Sequence, residues 1–195
     1  MLVEVVPAAR REKVRRGVLA ARELCWRDLP WRATRDPWCV LVSEVMLQQT
    51  QAPRVVGPYT RFVLRFPTPA ACAAAGAPSV MRAWEGLGYN RRARYLHSTA
   101  VTITERHGGA VPADLDSLRA LPGIGPYTAR AVLAFAFDAP VGVVDTNVAR
   151  VLARAVAGRA LRPAECQALA DALVPPGAAW EFNQSLFDIG AQHCT

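Results

Sequence analysis

A chain of 195 residues with 52% hydrophobic and 20% charged side chains can bury a sizeable core without staples, which excludes a disordered or fibrous protein. No apolar run reaches the roughly eighteen residues a membrane span needs, and Arg10, Arg11, Lys13, Arg15 and Arg16 stand where a signal peptide would be apolar. The net charge of +7 is almost all arginine, Lys13 being the only lysine, so either a polyanionic partner or a biased arginine usage fits.

Helical periodicity runs the length of the chain and alternating β-branched runs are nearly absent, which predicts an all-α protein. In chain order, helices are expected at 8–26, 37–49, 53–65, 80–85, 91–106, 115–120, 126–137, 146–157, 164–173 and 179–192, with proline or glycine at most boundaries. The alanine- and proline-rich stretch 67–78 is expected to be a loop-bound short helix, and no repeat or linker marks a sharp domain boundary. Five scattered cysteines form neither a disulfide ladder nor a CxxC pattern, so reduced thiols in a cytoplasmic protein are expected.

The second helix carries Glu44 within Val40-Leu41-Val42-Ser43-Glu44-Val45-Met46-Leu47-Gln48-Gln49-Thr50-Gln51. Helical spacing puts Val40, Leu41, Leu47 and Gln48 on the face of Glu44, which predicts a carboxyl group on the apolar side. Burial without a cation disfavours the ionised form, so such a group can keep a proton near neutral pH and give it to a leaving base.

Further on, Leu121-Pro122-Gly123-Ile124-Gly125-Pro126-Tyr127-Thr128-Ala129 joins a short helix to a longer apolar one, which is a helix-hairpin-helix pattern. Gly123 and Gly125 allow a tight turn and close approach, and the free amides of the next helix make an anion site suited to a DNA phosphate.

Asp145 follows Val141-Gly142-Val143-Val144 and precedes the helix from Thr146. The positive helix end is expected to keep it ionised, and a fixed anion beside an oxocarbenium-like sugar stabilises the charge that develops as an N-glycosidic bond breaks. Taken singly, Asp145 also fits a plain N-cap and Glu44 a side chain snorkelling from the helix edge.

Leu29-Pro30-Trp31-Arg32, Ser43 to Gln51, Gly86-Leu87-Gly88-Tyr89, the hairpin, Val144-Asp145-Thr146-Asn147-Val148 and Asn183-Gln184 together resemble the MutY-type adenine DNA glycosylases over about residues 20–195. The resemblance implies the helix-hairpin-helix DNA glycosylase fold. A six-helix barrel at 34–140 would stand with a second helical domain from 1–33 and 141–195. It implies Glu44 as proton donor to adenine, Asp145 as the carboxylate that stabilises the sugar cation, and Tyr127 and Asn147 as their helpers.

Related lyases carry a Schiff-base lysine where Tyr127 stands, so the resemblance implies a monofunctional hydrolase. It makes Gln49 a wedge and Tyr89 an intercalating aromatic, and it places Trp31, Arg32 and Gln184 around the extruded adenine. By residue type alone, Tyr89 and Trp31 read as core aromatics and Gln49 as a solvated helix end. The Arg91, Arg92 and Arg94 segment beside Tyr89 is expected either to grip the DNA backbone or to be a solvated helix start.

The implied partner is double-stranded DNA with adenine opposite 8-oxoguanine or guanine, met by a nucleoid-associated monomer with no membrane contact. One departure is Asn90, where many members carry a second tyrosine. At Cys194 the family's first iron–sulfur cysteine is matched, but a [4Fe–4S] cluster needs four thiolates, so this chain holds no complete cofactor site and a longer natural protein would be needed for one. A shortened catalytic region with weak 8-oxoguanine discrimination is therefore expected. Two alternatives remain: a thymine-mispair or damaged-pyrimidine glycosylase of the same superfamily, and a DNA-binding helical module without catalysis.

Overall fold

The computed structural model describes residues 6–194; residues 1–5 and 195, at the outer ends of the expected second domain, lie outside it. All regular structure among the described residues is helical. The chain divides into two compact units, Leu29–Phe137 and the two ends Met1–Asp28 with Asp138–Thr195.

In the central unit a 3-10 turn, Pro30–Arg32, packs on α3 (Pro37–Leu47) and α4 (Ala52–Arg65). The order continues with α5 (Pro69–Ala74), α6 (Gly76–Ala83), α7 (Arg91–Arg106), α8 (Leu115–Ala120) and α9 (Pro126–Ala136). Asp36 caps α3 by accepting from the Cys39 amide at 2.8 Å, and Thr68 and Asp114 cap α5 and α8 in the same way. Helix α3 lies against α4, α7 and α9, and its residues Val40, Leu41, Val42, Val45 and Met46 are buried on every side. An all-round apolar helix belongs in the middle of a unit, which is where α3 sits.

The second unit starts with α1 (Ala8–Ala20) and α2 (Arg22–Cys25), so the single helix expected at 8–26 breaks at Ala21. After Asp138 come α10 (Thr146–Val151), a π-helical stretch (Leu152–Ala157), α11 (Pro163–Leu173) and α12 (Ala179–His193). The helix expected at 146–157 thus widens after its second turn and ends on Gly158 in the left-handed region. Helix α12 is the hub of this unit, touching α1, α2 and α10. Gly190 makes the last contact possible, since a Cβ there would meet the Asn147 backbone at 2.8 Å. Arg27 and the buried Asp188 form an ion pair that ties the segment after α2 to the same helix.

Candidate active site and nucleic-acid interface

Within the central unit, Glu44 lies midway along α3 and is 6% exposed, so the sequence pattern and the packing agree on a buried carboxyl group. Trp31 is buried with its ring edge-on to Tyr59 at 5.5 Å, and Arg32 is buried in the same 3-10 turn. Burial and the nearby Cys39 push the Tyr59 hydroxyl above its ordinary value, so it stays protonated.

Helix α3 stops at Leu47, two residues earlier than the periodicity predicts, and Gln48 leaves the helix with ψ 116°. The next residue, Gln49, takes φ +54° and is exposed, while Gln48 Nε2 donates to Thr128 Oγ1 at 3.2 Å. A second turn, Gly86 to Tyr89, also runs through positive φ and leaves Tyr89 61% exposed at φ +49°. Non-glycine residues in this region cost about 1–3 kcal/mol each and persist where the surroundings over-determine them. Besides Gln49 and Tyr89, the described residues contain one other such non-glycine position, Asp138.

Both turns are held by one side chain. Arg92 is 7% exposed, which corrects the expectation that it is free to grip DNA with its neighbours. Its Nη1 donates to the carbonyls of Val45 at 3.1 Å, Met46 at 2.8 Å and Gln48. Its Nη2 donates to Thr50 Oγ1 at 3.0 Å and to the carbonyls of Leu87 and Gly88 at 3.2 Å. The carbonyls ending α3 have no helical partner beyond Leu47, and a cation is the natural cap for them. Burial lowers the pKa of this guanidinium from its ordinary value. Arg91 and Arg94, on either side, are exposed and remain available to a phosphate. Between the turns lies a cleft of about 590 Å³ lined by Gln48, Gln49, Tyr89, Asn90, Arg91 and Arg92.

The helix-hairpin-helix turn is formed as the sequence predicts. Gly123 has φ +74°, and a Cβ there would sit 2.7 Å from Tyr95 Cβ. Gly125 is the N-cap of α9 and is exposed, as is Tyr127 at 37% in the first turn of that helix. Thr99 Oγ1 donates to the Pro122 carbonyl at 2.7 Å and fixes the turn to α7.

Within the second unit, Asp145 caps α10: its Oδ1 accepts from the Val148 amide at 2.7 Å and its Oδ2 from Asn147 Nδ2 at 2.9 Å. Asn147 Oδ1 accepts from Arg150 Nη2, and Arg150 Nε donates to the Cys194 carbonyl, each at 2.6 Å. Because a guanidinium can only donate, Arg150 fixes the amide of Asn147 with its NH₂ toward Asp145. Burial nonetheless raises the Asp145 pKa, against the hydrogen bonds from Val148 and Asn147 and the charge of Arg150. Burial thus acts on this carboxylate against the helix end and its hydrogen bonds, which favour the charged form.

Gln184 is buried on α12 beside Asn183, whose Oδ1 accepts from the Val143 amide at 2.9 Å and whose Nδ2 donates to the carbonyls of Val141 and Ala179. Asn183 thereby sets the extended segment that delivers Asp145.

Cys194 ends α12 in a half-buried position. Among the described residues no group of three or more His, Cys, Asp or Glu side chains is placed to hold a metal ion. Burial pushes the Cys39 thiol up to about 11 and the Cys72 thiol up to about 12, and raises Cys166 as well. A four-thiolate cluster does not fit the residues present.

A profile of HhH-GPD superfamily base excision DNA repair proteins matches residues 42–176, which takes in Glu44, both strained turns, the hairpin and Asp145. The chain belongs to this superfamily. It is 51% identical over 173 residues to an adenine DNA glycosylase of Mycolicibacterium smegmatis, covering 87% of this chain and 59% of that protein. It is 41% identical over 183 residues to the human adenine DNA glycosylase, covering 87% of this chain and 34% of the relative. A thymine-DNA glycosylase of Aeropyrum pernix is 36% identical over 177 residues, covering 87% and 79%. The chain therefore spans about three-fifths of the mycobacterial relative's length.

Among solved structures, a thermostable thymine-DNA glycosylase matches with a TM-score of 0.89 at 30% identity, covering 96% of this chain and 88% of that one. A non-covalent endonuclease III–DNA complex matches at 0.80 with 24% identity, covering 95% and 87%, a likeness of fold alone. The fold is all-α, of the helix-hairpin-helix DNA glycosylase type.

Arg92, Arg150 and Asn183 carry much of the geometry; residue type gives Arg92 only as part of a basic segment, Asn183 only as part of a motif, and Arg150 not at all. A signal for Arg92 exists in α7, where it begins the buried series Arg92, Leu96, Thr99 and Ile103.

Proposed function

We propose that the chain is the catalytic region of a base-excision repair enzyme that hydrolyses the N-glycosidic bond of adenine mispaired with 8-oxoguanine or guanine in double-stranded DNA. The observation that carries this reading is the buried carboxyl group of Glu44 in the middle of apolar α3, in a chain 51% identical to an adenine DNA glycosylase. A carboxyl group in such surroundings suits proton donation to a departing base.

Asp145 is proposed to hold a negative charge against the sugar cation, with Asn147 ordered by Arg150 and Tyr127 assisting. A phenol at 127 supports hydrolysis without a Schiff base. Gln49 and Tyr89 are proposed to fill the stack when the adenine leaves it, and Trp31, Arg32 and Gln184 to contact that base. The backbone at the exposed hairpin residues Gly123 and Gly125 and the guanidinium of Arg91 are proposed to hold phosphates. The chain is proposed to act as a nucleoid-associated monomer. Cys194 is proposed as one cluster-type thiolate of the four that a [4Fe–4S] cluster needs. No helix among the described residues is long and apolar enough to cross a membrane.

The test is single-turnover base release from duplexes carrying adenine opposite 8-oxoguanine, adenine opposite guanine, and thymine opposite guanine. Adenine release that leaves an intact strand, cut only by later alkali, is the expected result. Release of thymine alone would move the chain to the alternative represented by its thymine-DNA glycosylase relative, and binding without any release would make it a DNA-binding module.

A further inference from the structure

We infer that Arg92 is a positioning residue that locks the two strained turns of the central unit into one rigid inserting device. This rests on the proposed roles of Gln49 and Tyr89, but its geometry stands on the structure itself. Six acceptors converge on the two terminal nitrogens of one buried guanidinium, four from the end of α3 and the turn after it and two from the turn before α7. Those turns hold two of the three non-glycine positive-φ residues among the described residues.

The carbonyl of Gln48 directly precedes Gln49, and that of Gly88 directly precedes Tyr89. Each strained residue is therefore one peptide from an Arg92 hydrogen bond. The guanidinium centre also lies 5.3 Å from the ring centroids of both Trp84 and Tyr89, so the exposed ring is oriented by the cation beneath it. Neither Gln49 nor Tyr89 has burial to hold it, since both side chains stand in solvent. Trp84 Nε1 and Arg54 Nη2 hold the second turn alone, at the Gly88 and Gly86 carbonyls, whereas the guanidinium is shared by both turns across the cleft of about 590 Å³.

A lysine cannot reproduce this, because its single ammonium has three donors and no fork that reaches two turns at once. Two side chains that enter a duplex from separate turns must keep their separation to that of the stack, and small misplacements cost large factors in rate. Arg92 thus couples Gln49 to Tyr89 without itself touching DNA.

The test uses Arg92→Met and Arg92→Lys in this chain, with amide hydrogen exchange and a mutant cycle against Gln49→Ala and Tyr89→Ala. In Arg92→Met, exchange is expected to rise together in residues 47–51 and 86–90 while α9 keeps its protection. Single-turnover adenine release should fall about ten- to a hundredfold, with affinity for undamaged duplex changed less than about threefold. Adding Gln49→Ala or Tyr89→Ala to Arg92→Met should then cost less than about twofold further, because the coupled unit is already lost. Arg92→Lys should recover part of the rate.

Uniformly raised exchange across residues 29–137, or full additivity of the three substitutions, would overturn the inference in favour of a merely structural arginine. If the unsubstituted chain releases no base from any duplex, the proposed function fails instead, and the exchange pattern alone still decides whether Arg92 ties the turns together.

Discussion

Two carboxylates, one in each unit, are held by different physical means. Glu44 lies inside α3 among Val40, Leu41, Val45 and Met46, all buried, so the packing of an apolar helix keeps it from solvent. Asp145 stands at a helix start on the unit built from the chain ends, within a polar ladder that passes through Asn147 and Arg150 to the Cys194 carbonyl. The first arrangement is robust to single substitutions of its neighbours, since several apolar residues share the task. The second depends on each rung, and each rung can be cut separately. Acid also acts oppositely on the first turns of α10 and α11, because burial raises Asp145 whereas hydrogen bonds lower Glu165.

The largest expected effect is on Glu44. Glu44→Gln should lower single-turnover adenine release by about a thousandfold, within the range for removal of a general acid, with little change in Tm because the isostere keeps the packing. Asp145→Asn should cost about a hundredfold or more through lost stabilisation of the sugar cation. Arg150→Leu should reproduce part of that loss through a disordered Asn147, and no substitution among the apolar neighbours of Glu44 should do so. Rates from rapid-quench assays on an adenine mispair check all three.

A smaller effect is expected at the hairpin. Gly123→Ala forces a side chain into positive φ and against Tyr95 Cβ, at a cost of about 1–3 kcal/mol. Calorimetry should show a lower Tm, and titration should show weaker binding to any duplex irrespective of sequence, as fits a phosphate contact.

The smallest effect concerns stability against pH. The Arg162 side chain and amide and the Arg159 guanidinium hold the Glu165 carboxyl at about 2, below its ordinary 4.5. Its contribution is therefore present above pH 4.5 and lost as pH falls toward 2. Asp145 has the opposite sign: with a folded pKa above its ordinary 3.8, its contribution is present at low pH and lost as pH rises through the folded value. Glu165→Gln should flatten the acid side of a Tm-versus-pH curve and leave base release unchanged.

Much of this architecture is local and was legible for that reason. The helices at 91–106 and 115–120 fall on the predicted residues because asparagine, aspartate and proline punctuation coincides with the apolar period. The hairpin follows from two glycines one residue apart, and the burial of Glu44 follows from its neighbours on one helix. What the sequence conceals is long-range. Helix α3 ends early because Arg92, 44 residues beyond Gln48, captures its last carbonyls. Asn147 is ordered by an arginine that is itself anchored 44 residues away at Cys194. Periodicity cannot foresee the break at Ala21 or the π-helical stretch at Leu152–Ala157, since both continue an apolar pattern through a change of winding.

The most direct measurement is the pH profile of single-turnover adenine release for the unsubstituted chain, Glu44→Gln and Asp145→Asn. One carboxyl group that gives a proton and another that stays charged predict a bell-shaped profile, losing its alkaline limb in Glu44→Gln and its acid limb in Asp145→Asn. Both limbs persisting in both variants would contradict the assignment of these two residues.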